Sequence, residues 1–538
     1  MMHLSTGAFA AALAGALLGL VARPAAGGAQ QAGDVDRACN AVRELRLPNT
    51  QILDAAAIRP SSEYVVPQTA DAPAERGGPV RVGRAFCRVA GNIDGAIRFE
   101  VWMPLDGWNG RFQGLGLGAF SGAIPYTSMN VALAQGYAVG GTDTGHESSF
   151  TDASWTLNAA GLDREKVADW AFRGIHEMTV KSQAIVAAVY GTRPKYSYFV
   201  GCSSGGHQAL TEAQRYPDDY DGIVAGAPAN HWTHLMAAQL WYGLATRQDP
   251  ATDLEAPQDK LDLIHSAVLR QCDANDGVRD GVVENPLTCH FNPAVLACKE
   301  HEHAAAACLT PAQLGAVRKI YAAAPGSDGQ RIFPGLAPGS ESGWRLMSAV
   351  QVGFAETFYR YFVFQDMQWR FSSFKLAADV AYADRSIGAT VNSIDADLRP
   401  FRARGGKLLQ YHGWNDPLIS PYSSIDYYRA VGARVGPQSE QSFYRLFMVP
   451  GMAHCRGGDG ADSFDALGAL EGWVERSVAP DRLEAAKMVD GKALRTHPLC
   501  PFPQLARYRG KGNPDEARSF SCASARQAEP RSGRRDAK

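Results

Sequence analysis

The chain has 538 residues, 46% of them hydrophobic and 20% charged, with a formal net charge of −2 at pH 7. That is an ordinary globular composition, long enough for a large core plus a second domain or a long insertion. With no long basic run and almost no net charge, neither nucleic acid nor an anionic membrane surface is indicated as a partner.

The N-terminal run "GAFAAALAGALLGLVA" is apolar and is followed by the small-residue stretch "RPAAGGAQ". It is short for a membrane span and the right length for a signal-peptide core, so residues 1–29 are expected to be cleaved near Ala29. The mature protein would then be periplasmic or secreted. No Lys or Arg precedes the run, only His3, and a buried N-terminal helix is the competing reading. No later segment is long and apolar enough to span a membrane. All ten cysteines lie beyond this leader and none forms a Cys-x-x-Cys pair, which favours disulfides over a metal site. Close spacing suggests Cys272–Cys289, Cys298–Cys308 and Cys500–Cys522, and leaves Cys39, Cys87, Cys202 and Cys455.

Residues 30–229 read as the first part of an α/β domain. Strand-like "AIRFEVWMP", "YAVGGTD", "KYSYFVG" and "DGIVAGAP" alternate with helical stretches, the pattern of a mostly parallel, covered sheet. Within it lies "GCSSG". A buried strand precedes Gly201 and a helix follows Ser204, so Ser203 is expected on a strand-to-helix turn that Gly201 and Gly205 make sterically possible. A glycine-rich turn without chemistry is the plain alternative. The helix N-terminus would face an oxyanion formed there, with the Ser204 N–H as one donor.

Residues 230–393 break the alternation and read as an insertion, a lid. Residues 394–522 resume it with "GGKLLQYHG", a helical "SSIDYYRAV" and "SFYRLFMVPG"; the polar residues 523–538 read as a disordered tail. A serine nucleophile needs a base, and the base an orienter, both later in the chain on loops after strands. Asp416 in "HGWNDPLISP" and His454 in "GMAHC" meet that requirement. Asp143 in "GGTDTG" also ends a strand but precedes the serine, which suits a structural or pocket role. Cys202 precedes the serine and Cys455 follows the histidine. Pairing of those two would tie nucleophile to base, while a free Cys202 would be a rival thiol nucleophile.

Together "GCSSGG", "HGWNDPLISP" and "GMAHC" resemble the tannase and feruloyl esterase family of α/β-hydrolases, over most of the mature chain. The resemblance implies an α/β-hydrolase fold with a large lid inserted in the sheet domain. It also implies Ser203 as nucleophile, His454 as general base then acid, Asp416 as orienter, and a Cys202–Cys455 bridge, with Cys39–Cys87 then the fifth expected pair. "GLGLGAFSG" occupies the position of the family's oxyanion loop, where Gly118 is the favoured second donor and Gly116 the alternative.

In the lid, "CDANDGVRDGVVENPLTC" crowds Asp273, Asp276 and Asp280 on one loop. Such carboxylates repel unless solvated or bound to a hard cation. The spacing is not that of an EF-hand. By resemblance the loop binds a structural Ca2+ through those three carboxylates and the backbone carbonyls of Val278 and Val282. The aromatic stretches "HWTHLMAAQLWY" and "FAETFYRYFVFQDMQWRFSSF" would mostly form the lid's core, with one or two rings facing an acyl pocket. The expected activity is that of a serine carboxylesterase acting on small esters of phenolic acids, through an acyl-enzyme. Alternatives are a terephthalate monoester hydrolase, disfavoured because "SAVQVG" before Phe354 lacks an arginine, and a non-catalytic protein that binds aromatic ligands.

Overall fold

The computed structural model describes residues 32–59, 66, 80–246, 258–299, 307–326, 329–346 and 350–524. The expected leader, residues 1–29, and all but Ala523 and Ser524 of the expected tail lie outside the described residues.

A nine-stranded sheet forms the centre of the molecule. Its strands are β1 (Thr50–Ile58), β2 (Phe86–Ile93), β3 (Ile97–Pro104), β4 (Arg111–Leu115), β5 (Ala138–Thr142), β6 (Tyr196–Cys202), β7 (Gly222–Gly226), β8 (Lys407–Gly413) and β9 (Tyr444–Val449). They lie in the order β1-β2-β3-β5-β4-β6-β7-β8-β9. The first three and β5 pair antiparallel, and from β5 through β4 to β9 every neighbour is parallel.

Seven helices matter below: α1 (Tyr126–Ala134), α2 (Gly174–Tyr190), α3 (Ser204–Arg215), α4 (Trp232–Thr246), α5 (Gln258–Cys272), α6 (Pro421–Val435) and α7 (Ala466–Arg476). Successive strand residues point to opposite faces, and both faces are covered. Phe199, Ile223, Leu408 and Leu446 join one core with residues of α2, α3 and α6. Their neighbours Tyr198, Val224, Leu409 and Phe447 join another with residues of α1 and α7. Two covered faces explain why these strands are apolar on both sides over most of their length, with single polar residues such as Gln410 and Arg445 among them.

The insertion packs α4, α5 and the later aromatic segment into a core that also takes in Phe120, Trp155 and Trp170 of the sheet domain. Its two ends meet, because the Ser393 N–H donates to the Asn230 carbonyl at 2.7 Å. After the sheet come two antiparallel pairs, β10 (Leu483–Val489) with β11 (Lys492–Leu499), and β12 (Gln504–Tyr508) with β13 (Phe520–Ser524). Ala523 and Ser524, expected in a disordered tail, are the end of β13, where they pair with Leu505 and Gln504. The backbone ladder overrides their small, polar composition.

The five disulfides are Cys39–Cys87, Cys202–Cys455, Cys272–Cys289, Cys298–Cys308 and Cys500–Cys522. They join the pairs expected from spacing and resemblance.

One buried acid makes the fold pH-sensitive. Glu440 is 4% exposed, and its Oε1 has no hydrogen-bond partner among the described residues. Its carboxylate lies where a Cβ on Gly432 would be, 2.8 Å from that position. Burial pushes this carboxyl up to about 7 from the usual 4.5. A raised carboxyl pKa contributes stability below the unfolded value, and that contribution is lost as pH climbs through the folded value. Stability should therefore fall between about pH 4.5 and pH 7 through this group. Glu440→Gln should flatten that part of the urea-denaturation profile and stabilise the protein at pH 8; an unchanged slope would contradict this account.

Candidate active site

The loops at the C-terminal ends of β4, β6, β8 and β9 gather the chemistry-bearing residues. In open α/β sheets this is the edge where ligands bind. Ser203 stands alone between β6 and α3, with φ 65° and ψ −120°. That backbone is rare for a residue with a side chain and costs of order 1–3 kcal/mol. Main-chain bonds hold it there: its N–H donates to the Gly226 carbonyl at 3.0 Å, and its carbonyl accepts from His207 at 3.0 Å and Ala229 at 3.1 Å. A Cβ on Gly201 would sit 2.3 Å from the Gly205 carbonyl oxygen, so the turn closes only with glycine at 201.

The chain beside the serine is bonded covalently to the chain beside the histidine. Cys202 and Cys455 are 6.1 Å apart at Cα, and Ser203 and His454 are their immediate neighbours. No thiol remains at position 202, so the rival reading of a cysteine nucleophile is excluded. His454 is positioned further by Asp416, whose Oδ2 lies 2.7 Å from its Nδ1. Since a carboxylate only accepts here, Nδ1 carries the proton and Nε2 is left with its lone pair. The loops carrying these two residues are stitched together. Trp414 donates to Val449 O and Asn415 to Met452 O, both at 2.9 Å.

Asp416 is completely buried and fully satisfied. Its Oδ1 accepts the main-chain N–H groups of Leu418 at 2.8 Å and Ile419 at 3.0 Å. Its Oδ2 faces, besides His454, the Nε2 of His412 at 3.1 Å. Burial alone would raise this carboxyl. The charge of His454 and the hydrogen bonds from both histidines outweigh it and hold Asp416 well below the ordinary range. His412 is itself fixed from behind, with Ser424 Oγ 2.7 Å from its Nδ1 and Gln410 Nε2 donating to that hydroxyl at 2.6 Å.

Asp143 plays another part. It accepts from the backbone and side chain of Arg98 at 3.0 and 2.9 Å and from Gly145 N at 2.9 Å. Burial leaves its carboxyl raised to about 6. It braces β3 against the end of β5.

The loop after β4 approaches the helix after Ser203 closely, since a Cβ on Gly116 would lie 2.7 Å from Gly205 Cα. The Gly116 N–H is committed to Val200 O at 3.0 Å, and the Leu117 N–H to Gln208 Oε1 at 2.9 Å. The Gly118 N–H has no such commitment among the described residues, and Ser204 opens α3 with a first-turn N–H. Of the two glycines weighed as donors, Gly116 is therefore occupied and Gly118 available. Two residues on, Phe120 packs against Phe354 at 4.1 Å, Phe362 at 5.3 Å and Trp232 at 5.6 Å between ring centroids. The lid aromatics thus support this loop directly.

The acidic loop packs against the histidine loop. Asp276, Asp280, Val282 and Glu284 line a cavity of about 10 Å³ with Pro450, Gly460, Ala461, Arg495 and His497. That is room for one water-sized occupant. Asp273 folds the loop by accepting from Asp280 N at 3.1 Å and Gly281 N at 3.2 Å. Burial, then Glu284 and Asp280, push the Asp276 carboxyl up to about 6, while Arg495 pairs with Asp280 at 2.9 Å and His497 lies 3.0 Å from Glu284. Such an oxygen-rich, carboxylate-strained cavity fits a hard divalent cation.

His412, Gln208, Glu284, Arg495 and His497 were not singled out from sequence. His412 carried a signal, standing at i−4 to Asp416 on the same strand end. The others reach their partners only through the fold.

Known proteins are similar to this chain over most of its length. The family described as "Tannase and feruloyl esterase" matches residues 80–523. An uncharacterized esterase of Xanthomonas campestris pv. campestris is 36% identical, over 90% of this chain and 91% of its own. A probable feruloyl esterase B-1 of Aspergillus oryzae is 32% identical, over 84% of this chain and 87% of its own. Among solved structures, feruloyl esterase B from Aspergillus oryzae superposes with a TM-score of 0.83 at 31% identity, covering 91% of this chain and all 100% of that one. Tannin acyl hydrolase from Aspergillus niger, at 21% identity and a TM-score of 0.73, covers 92% of this chain and 95% of that one and shares the fold.

The His412 contact makes a quantitative expectation. A hydrogen bond to a buried charge is worth about 1.5–3 kcal/mol, or roughly 10–100-fold. His412→Phe should lower kcat by that order with KM little changed, and His412→Gln, which keeps a donor, should recover part of it. Equal kcat in a folded Phe variant, checked by circular dichroism, would show that the contact does not position Asp416.

Proposed function

Because the chain belongs to the tannase and feruloyl esterase family, a family of carboxylic ester hydrolases, we propose that it is an exported serine esterase cleaving esters of phenolic acids by a Ser203–His454–Asp416 triad. The observation that carries this reading is the serine held in a strained turn and bridged, residue to residue, to a histidine already oriented by a buried aspartate.

The Ser203 hydroxyl attacks the ester carbonyl while His454 Nε2 takes its proton. Asp416 keeps Nδ1 protonated and stabilises the imidazolium that forms. The developing oxyanion accepts from the Ser204 and Gly118 N–H groups, aided by the positive end of α3. His454 returns the proton to the leaving alcohol. Water, deprotonated in turn by His454, then releases the acid from Ser203. The phenolic acyl group is supported by the relatives named as feruloyl esterases; the rings around Phe120 are themselves buried in core packing. Export is supported by five disulfides and by the apolar N-terminal run.

Calcium is the second part of the proposal. Of the expected ligands, Asp276, Asp280 and Val282 line the cavity together with Glu284 and would hold it, whereas Asp273 and Val278 lie outside that lining and both Asp273 oxygens accept main-chain N–H groups of the loop. When bound it supplies charge compensation for the loop. The cavity walls include Pro450 and Gly460, at the two ends of the segment carrying His454. The loop therefore supports that histidine from below.

Two measurements test these readings. Wild type should hydrolyse at least one of methyl ferulate, methyl caffeate and methyl gallate faster than an aliphatic methyl ester, and Ser203→Ala should lose about 10⁴-fold or more in kcat. Retained activity in that variant would remove Ser203 as nucleophile, and a preference for the aliphatic ester would remove the aromatic acyl group. Separately, chelation should lower the melting temperature, and Ca2+ should restore it in wild type but not in Asp276→Asn. At 100 times Kd, ligand linkage amounts to about 2.7 kcal/mol. No shift on chelation would rule the calcium site out.

A further inference from the structure

A second cluster of metal-binding side chains lies at the junction where the insertion leaves and rejoins the sheet domain. His231 directly precedes α4 and His234 lies in its first turn. Asp384 follows helix Leu376–Ala383. One ligand-competent atom from each of the three lies within 4.8 Å of the other two, and all three residues are half-buried.

The hydrogen bonding of His234 points to a cation. Its Nδ1 is 2.8 Å from the Ile332 carbonyl oxygen, and its Nε2 is 2.9 Å from Asp384 Oδ2. Both neighbours only accept. A neutral imidazole carries one N–H, so one of these contacts needs a second proton or a metal ion. An N–H directed to a backbone carbonyl, with the opposite nitrogen presented to the ion, is the usual arrangement of a metal-ligating histidine.

The other two groups are equally prepared. The His231 ring stacks on His234 at 3.6 Å, and neither of its nitrogens has a hydrogen bond among the described residues. A neutral His231 imidazole therefore offers one unpaired ring nitrogen to an ion. Asp384 Oδ1 accepts from Thr233 Oγ1 at 2.5 Å, and that hydroxyl accepts from Asn392 Nδ2 at 3.0 Å. The outer contacts are thus in place and Asp384 Oδ2 faces inward.

We propose that His231, His234 and Asp384 bind a divalent transition-metal ion of the zinc type, with water completing its coordination. Two imidazoles and a carboxylate suit that class, whereas calcium prefers oxygen ligands. Binding displaces any proton held between His234 Nε2 and Asp384 Oδ2 to solvent. The ion joins the first turn of α4 to the segment that returns at Ser393, and so fastens both ends of the insertion. The clamp stands two residues from Ala229, whose N–H holds the Ser203 carbonyl. None of this depends on which ester the enzyme cleaves.

The test uses the full chain, stripped by chelator and then saturated with Ca2+ so that the acidic loop does not vary. Co2+ serves as a visible probe and Zn2+ as the calorimetric titrant. One equivalent of Co2+ should give d–d absorption of a nitrogen-ligated site, displaced by Zn2+. His231→Asn keeps a side chain suited to a helix N-cap. It should weaken Zn2+ binding by at least about 10-fold, as should Asp384→Asn, losses at least as large as those from outer-contact changes. Absence of Co2+ absorption and of Zn2+ heat in the wild type, or unaltered affinity in a folded His231→Asn variant, would overturn the proposal.

Discussion

The Cys202–Cys455 bond is the constraint on which the rest of the site depends. It joins residues 253 apart in sequence, and the whole insertion lies within the loop it closes. On chain-entropy grounds so long a loop is worth about 5 kcal/mol to the folded state at most. Its local consequence is greater. A serine in a costly backbone conformation and a histidine on a glycine-rich loop are each one bond from the bridge. Neither loop can drift without dragging the other, so the relative placement of the two side chains is set by covalent geometry more than by packing. A 1 Å misplacement between reacting groups can cost about 100-fold in rate, which gives such a bond a catalytic rationale beyond stability.

The insertion works on the same residues from other sides. Phe120, at the end of the loop that offers Gly118, is built into the insertion's aromatic core. Gly339 approaches Asn415 Oδ1 to 3.1 Å at the Cβ position, and Gly343 would meet Pro417, so the insertion also rests on the loop of Asp416. The acidic loop meets the histidine loop in turn, with Val282 Cγ1 3.1 Å from the Cβ position of Gly451. Each of the three loops that carry Gly118, Asp416 and His454 is thus backed by a different part of residues 230–393. The insertion shapes the site from outside it.

Much of this was legible in the sequence, and the reasons are physical. Strands β6 to β9 declare themselves because both faces are covered and most of their residues are apolar. The motifs at their ends then place Ser203, Asp416 and His454 in order. Strand β1 was not read, because "TQILDAAAI" is alanine-rich and its burial alternates weakly at the sheet edge. The pairs β10–β11 and β12–β13 were not separated from the sheet domain either. Their burial is partial, and their role is to bring Arg495 and His497 to the acidic loop across more than 200 residues. No local pattern encodes a contact of that span. The same holds for Gln208, an ordinary polar residue of a helix until the fold sets it against Leu117.

Asp143 and Asp416 show why position alone does not make a triad acid. Both follow a strand of the same sheet, both are buried, and both accept main-chain N–H groups. Their partners differ. Arg98 gives Asp143 a permanent charge to neutralise it, and burial still keeps that carboxyl raised to about 6. It is spent on bracing β3. Asp416 has two histidines on one oxygen, and these hold it ionised far below neutral pH. One of them, His412, is locked by Ser424 and Gln410 and has no solvent exposure. The other, His454, retains an exposed edge, with its side chain 18% accessible. Only the second has an edge open to solvent. The acid is therefore matched to a mobile proton at one histidine by being fixed at the other, and that asymmetry distinguishes an aspartate that orients a base from one that merely ties two strands together.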